Sequence, residues 1–180
     1  MEQTRPRVST ILQVLDDAYA GVPQALLDAA AERGERLHRL CLSYLASLDG
    51  LCVEPVPTPQ DVAAYAGFQA WVKTQCVCPV AVEQGSVSTK HRYQGTPDAL
   101  VLCDSVPTLI DLKFTAVILR INRVQIQAYR RLDLYADAKR SLLLHINPVT
   151  GEVNQRIIPN NPGDWAAFLN ALSVWRWRQA

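Results

Sequence analysis

The sequence predicts an α/β fold in which a mixed central sheet of about four or five strands lies between helices. Three observations point there. Apolar residues recur at three and four across 23–48, the period drops to two from Val77 onward, and helix then alternates with strand from about Arg123 to the end. At 180 residues the chain can bury roughly 70% of its unfolded surface. One domain over 1–180 is expected, with a core at about 23–158 and helical extensions on either side. A hydrophobic share of 49% against 19% charged excludes a disordered chain.

Residues 8–20 read as a short helix ending before Gly21. A long helix follows from about Pro23 to Leu48, where Leu26, Leu27, Ala30, Ala31, Leu37, Cys41, Leu42, Leu45 and Leu48 make one continuous buried stripe and Gly50 supplies the stop. Thr58, Pro59 and Asp61 have the order of an N-cap, a first-turn proline and an acidic first turn. The third helix they open carries Val62, Tyr65, Ala66, Gln69 and Val72 to about Thr74. Strands are expected at 77–83 and 90–94 across a short polar turn, then at 100–103 and 108–113, as a meander. A helix from about Arg123 to Ala138, strands at 141–146 and 152–158, and a helix opened by Asn161-Pro162 complete the chain.

No apolar run reaches the roughly 20 residues of a membrane helix, and Asp16 and Asp17 interrupt any leader-like core near the start. A cytoplasmic protein without a membrane partner is expected. Five cysteines without a paired ladder read as reduced and mostly buried thiols, and the one-residue spacing of Cys76 and Cys78 is unlike a zinc knuckle. The formal charge of +1 excludes a general polycation, but its distribution is uneven. Residues 1–90 carry seven Lys and Arg against ten Asp and Glu, whereas 91–180 carry eleven against seven. Lys113 to Arg140 alone holds seven cations against two acids, which offers a basic face to phosphates.

Asp111-Leu112-Lys113 closes an apolar strand, so alternation sends Asp111 and Lys113 to one face. Gly95-Thr96-Pro97-Asp98 begins the strand before it, and antiparallel pairing brings Asp98 beside Asp111. Two carboxylates with a lysine suit a hard divalent cation and a charge near attacking water. An exposed surface ion pair is the bland reading of the same residues.

Pro97-Asp98 with Asp111-Leu112-Lys113 resembles the signature of the PD-(D/E)XK nuclease superfamily, and Gln125-Ile126-Gln127-Ala128-Tyr129 is similar to the Gln-x-x-x-Tyr of its RecB-like and lambda-exonuclease-like branch. Gly34-Glu35-Arg36-Leu37-His38 is similar to that branch's Gly-x-x-x-His. Gly34 costs about 1 kcal/mol relative to Ala inside a helix. Its missing side chain would let another element approach His38 closely.

The resemblance implies a restriction-endonuclease-like fold and metal-dependent hydrolysis of DNA, exonuclease-like in character. It implies Mg²⁺ or Mn²⁺ held by His38, Asp98, Asp111 and the Leu112 carbonyl. Lys113 assists the water, Glu83 matches the acid of the first sheet strand, and Gln125 and Tyr129 brace the site or reach a phosphate. Arg120, Arg123, Arg130 and Arg131 would contact the DNA backbone.

No cysteine follows Cys103, so the iron–sulfur cluster of some RecB-like nucleases is not expected. No Gly-rich phosphate loop is present either, so unwinding would fall to a helicase or recombination partner. The small size suits DNA recombination, repair or processing in a phage or mobile element. The alternative is the same fold kept as a nucleic-acid-binding or protein-interaction module, for instance an inhibitor, with little or no turnover. Intact Asp98, Asp111 and Lys113 speak against it.

Overall fold

The computed structural model describes residues 5–15, 23–48, 50, 53–115 and 118–179. Five strands build the central sheet: β1 (Cys78–Val82), β4 (Ala99–Cys103), β5 (Val106–Lys113), β6 (Arg140–Ile146) and β7 (Val153–Ile157). They lie side by side in that order, with β5 and β6 parallel and every other pair antiparallel. A separate two-stranded ribbon, β2 (Ser86–Ser88) with β3 (Tyr93–Gly95), is inserted between β1 and β4. The expected meander is therefore corrected at one point, because 77–83 pairs with β4 and not with 90–94.

Alternation along the strands sorts the apolar side chains to two faces. Val101, Ile110, Leu112, Leu142 and Leu144 pack with α2 (Gln24–Ser47) and α3 (Val62–Thr74). Leu100 and Leu109 pack with α1 (Val8–Leu12), α4 (Arg120–Tyr129), α5 (Pro162–Gln179) and Tyr93 of the ribbon. A sheet covered on both faces by helices is the α/β architecture that the alternation of elements predicts.

Several boundaries differ from expectation. In α2 the buried stripe begins only at Leu37: Leu26, Ala30 and Ala31 are exposed and Leu27 is half-buried, so no described element covers the first turns fully. Thr58 forms a turn ahead of α3 rather than its cap, donating its hydroxyl to Asp61, which also receives a two-pronged Arg36 guanidinium from α2. The buried face of α3 is Ala64, Tyr65, Phe68, Trp71 and Val72, while Val62 and Ala66 face out.

The predicted helix at 123–138 starts at Arg120 and stops at Tyr129; a 3₁₀ turn at Asp133–Tyr135 follows. After Val8–Leu12 a 3₁₀ turn at Gln13–Leu15 continues, and the rest of the expected 8–20 helix lies outside the described residues. Cys41 and Cys103 are buried, but Cys76 and Cys78 are exposed, and Cys52 lies outside the described residues. Among the described residues no helix is long and apolar enough to cross a membrane.

Candidate active site

The register of β4 and β5 sets Ala99 opposite Ile110, so one further step places Asp98 across from Asp111 at the end of β5. Asp98 is buried, and its Oδ2 accepts the Leu112 backbone N–H at 2.6 Å. The same oxygen lies 2.8 Å from His38 Nε2 on α2. One carboxylate thereby joins the β4 entrance, the end of β5 and the middle of α2.

Asp111 is 1% exposed. Among the described residues neither of its oxygens has a hydrogen-bond partner, and the Lys113 ammonium lies 2.6 Å from Oδ2 as an ion pair. Lys113 Nζ instead donates to Gln125 Oε1 at 3.1 Å, and Gln125 Nε2 donates to the Tyr129 hydroxyl at 3.1 Å. Gln125 and Tyr129 stand one turn apart on α4, so the helix presents both to the strand end. Gly95 backs Tyr129: a Cβ there would come within 3.0 Å of its ring.

These contacts set the charge states. Burial, assisted by the negative charge of Asp98, pushes the Asp111 carboxyl up to about 6 against the opposing pull of Lys113 and His38. Burial works to lower the His38 value, but the hydrogen bond and charge of Asp98, with Asp111 adding to them, leave it raised. Burial and the nearby acids raise the Tyr129 hydroxyl well above its ordinary value, so it stays a neutral donor and acceptor.

The donor set fits a divalent cation. A buried carboxylate with both oxygens lacking a hydrogen bond, beside a second acid and offset by one ammonium and a more distant imidazole, is costly, and a cation would complete it. Among the described residues no three His, Cys, Asp or Glu side chains form a ready-made cage. The fit is of the kind Mg²⁺ and Mn²⁺ favour, with one or two carboxylates and the remaining positions left to water or substrate.

A pH dependence follows from the two raised values. For a cation seated on Asp111, whose carboxyl is raised to about 6, binding displaces that proton, so Mn²⁺ affinity is expected to climb as pH rises towards about 6, by up to about tenfold per unit, with a further rise where the raised His38 also gives up its proton. Calorimetric titration across that range checks it. A flat affinity would place the cation away from both groups.

The other expected site residues divide. Glu83 lies one residue past β1 with φ +47, and its N–H donates to the Asp98 carbonyl at 2.9 Å. Its backbone thus adjoins the site while its side chain is exposed, and no hydrogen bond or ion pair joins that side chain to Asp98 or Asp111. Gly34 needs correction: a Cβ there would meet nothing within 4 Å, so no described element exploits the gap beside His38.

The four arginines do not form one free helix face. Arg123 pairs with buried Asp164, and Arg130 donates to Ser141. Arg131 is held by the Gln127 carbonyl and Asn160, with its guanidinium 4.2 Å from the Trp165 ring centre. Arg120 is exposed at the first turn of α4. The partners Asp164, Asn160 and Trp165 come from 29 to 41 residues away, beyond what the basic run itself can show.

No protein-family model matches the chain, and no curated protein matches it. Solved structures do. An alkaline exonuclease from Laribacter hongkongensis superposes with a TM-score of 0.55 at 11% identity, covering 97% of this chain and 87% of its own. The same exonuclease in complex with dAMP gives 0.53 at 12% over the same shares. A further structure, SSO0001, gives 0.50 at 14%, covering 100% of this chain and 79% of that one. At such identities the likeness is one of fold alone.

Proposed function

We propose that the chain is a metal-dependent nuclease that hydrolyses DNA phosphodiester bonds, a PD-(D/E)XK enzyme of exonuclease-like character. The observation that carries this reading is the pair Asp98 and Asp111 at one strand end, with the Asp111 oxygens buried and unsatisfied beside Lys113. A shared fold with an alkaline exonuclease supports it.

Asp98 and Asp111 would hold Mg²⁺ or Mn²⁺, with the Leu112 carbonyl and His38 completing the set. When bound, the ion supplies positive charge to the scissile phosphate and its attacking water. Lys113, tethered by Gln125, orients that water and stabilises charge on the phosphate oxygens. Tyr129 fixes Gln125 and so fixes the lysine. The tether matters because a lysine carries about 2 kcal/mol of rotamer entropy, and a loose ammonium would settle on Asp111 alone.

The test is digestion of linear, closed circular and single-stranded DNA with Mg²⁺, with Mn²⁺ and with chelator. Linear DNA should be degraded from its ends, circles spared and chelated reactions silent. Intact linear DNA with both metals would overturn the reading.

A further inference from the structure

The tip of the β2–β3 ribbon is Ser88-Thr89-Lys90-His91-Arg92, a tight turn in which the Arg92 N–H donates to the Ser88 carbonyl and Arg92 takes φ +52. Lys90 and Arg92 are exposed on it. Behind the tip stands α5, whose residues Trp165, Phe168, Leu172 and Arg176 recur on one face. Phe168 and Leu172 are buried in the core. Trp165 meets the His91 ring edge-on at 5.1 Å between centroids, and Arg176 Nη2 donates to the His91 carbonyl at 2.7 Å. The tip is locked to the helix at both ends of this contact.

Charge at this place is one-sided. Burial lowers the His91 value, and Lys90, Arg131 and Arg176 lower it further, so three cations converge on that ring. Asp133 is turned to Thr89, accepting its hydroxyl at 2.6 Å. None of Lys90, Arg92 and Arg176 takes part in an ion pair among the described residues. Arg131, fixed on Trp165, lends field without reach.

We propose that the ribbon tip and α5 form a second DNA contact, in which Lys90, Arg92 and Arg176 hold backbone phosphates at a distance from the acids. The proposal deepens the nuclease reading and rests on it. The ribbon leads directly into Asp98: it stands seven positions after His91, a span of at most about 25 Å. At about 3.4 Å per nucleotide along one strand of a duplex, the contact falls within about seven nucleotides of the cut. An enzyme that takes one nucleotide after another from an end would use such a contact to keep hold between cuts.

The experiment measures DNA binding in chelator, so that the strand survives, with the parent and with the triple variant Lys90→Gln, Arg92→Gln and Arg176→Gln. On a duplex of about 16 base pairs the slope of log affinity against log salt should fall by about 2 to 3, since each lost phosphate contact removes about 0.9. The conservative set Lys90→Arg, Arg92→Lys and Arg176→Lys should restore the slope, which a merely structural role would not require.

An unchanged slope in the Gln variant overturns the proposal even if the parent degrades DNA. A lowered slope in a protein that cleaves nothing with either metal upholds the contact and overturns the nuclease reading. A parent that binds no DNA in chelator and degrades none with either metal overturns both.

Discussion

Asp111→Asn is expected to abolish cleavage while making the metal-free protein more stable. The carboxylate is buried without a hydrogen bond, so its charge is a cost in the absence of a cation. Its folded-state value is raised to about 6, above that of the unfolded chain. An acid shifted upward holds its proton in the folded state while the unfolded state has released it. Its contribution to stability is therefore intact in acid, falls as pH rises through about 4 to 6, and stays lost above.

Asparagine removes the charge but leaves an amide in the same pocket, so the net gain at pH 7 is set at about 1–2 kcal/mol, or about 3–6 °C in Tm. The gain should shrink towards zero near pH 4. Cleavage should fall on the order of 10³-fold or more, since losing a cation ligand removes several kcal/mol of transition-state stabilisation. Thermal melts in chelator at several pH values, beside a digestion assay, check both halves. A variant less stable at pH 7 than the parent would mean that Asp111 is structural. A variant that still cleaves at the parental rate would mean that it is not the site.

The pieces legible in the sequence are those fixed by local period. Alternation alone puts Asp111 and Lys113 on one face, and the 2.6 Å ion pair shows that it did. Spacing from Asp98 to Asp111 is right for adjacent antiparallel strands with a tight turn, and the register agrees. A motif and a helical stripe single out His38, and its Nε2 lies 2.8 Å from Asp98 Oδ2.

The rest depended on what lies across the fold. Nothing local to Arg123 or Arg131 announces Asp164 or Trp165, so the basic run suggests a free face although most of it is internally bonded. The strand expected at 90–94 pairs with 86–88 in a separate ribbon instead of joining the main meander, because period two marks a strand without naming its neighbour. In α2 the apolar spacing continues into turns that no described element fully covers, and periodicity cannot report where the partner layer ends.

The glycines were the least legible feature, and one of them carries the largest expected loss of stability. In α3, a Cβ on Gly67 would stand 1.8 Å from the Gly151 carbonyl oxygen, and a Cβ on Gly151, at φ +73, would stand 2.1 Å from the Ala63 oxygen. The helix backbone thus rests directly on the turn joining β6 to β7, and both colliding partners are backbone, which cannot swing aside. Helix propensity alone predicts that Gly67→Ala gains up to about 1 kcal/mol. The packing predicts the opposite sign, a loss of at least about 3 kcal/mol and a Tm lower by roughly 6–12 °C. Gly34→Ala is the matched control on α2. A methyl there enters open space, so only propensity acts and stability should rise by about 0.5–1 kcal/mol. Denaturant melts of both variants decide the matter: equal signs for the two would show that the close crossing of α3 over the Gly151 turn does not exist.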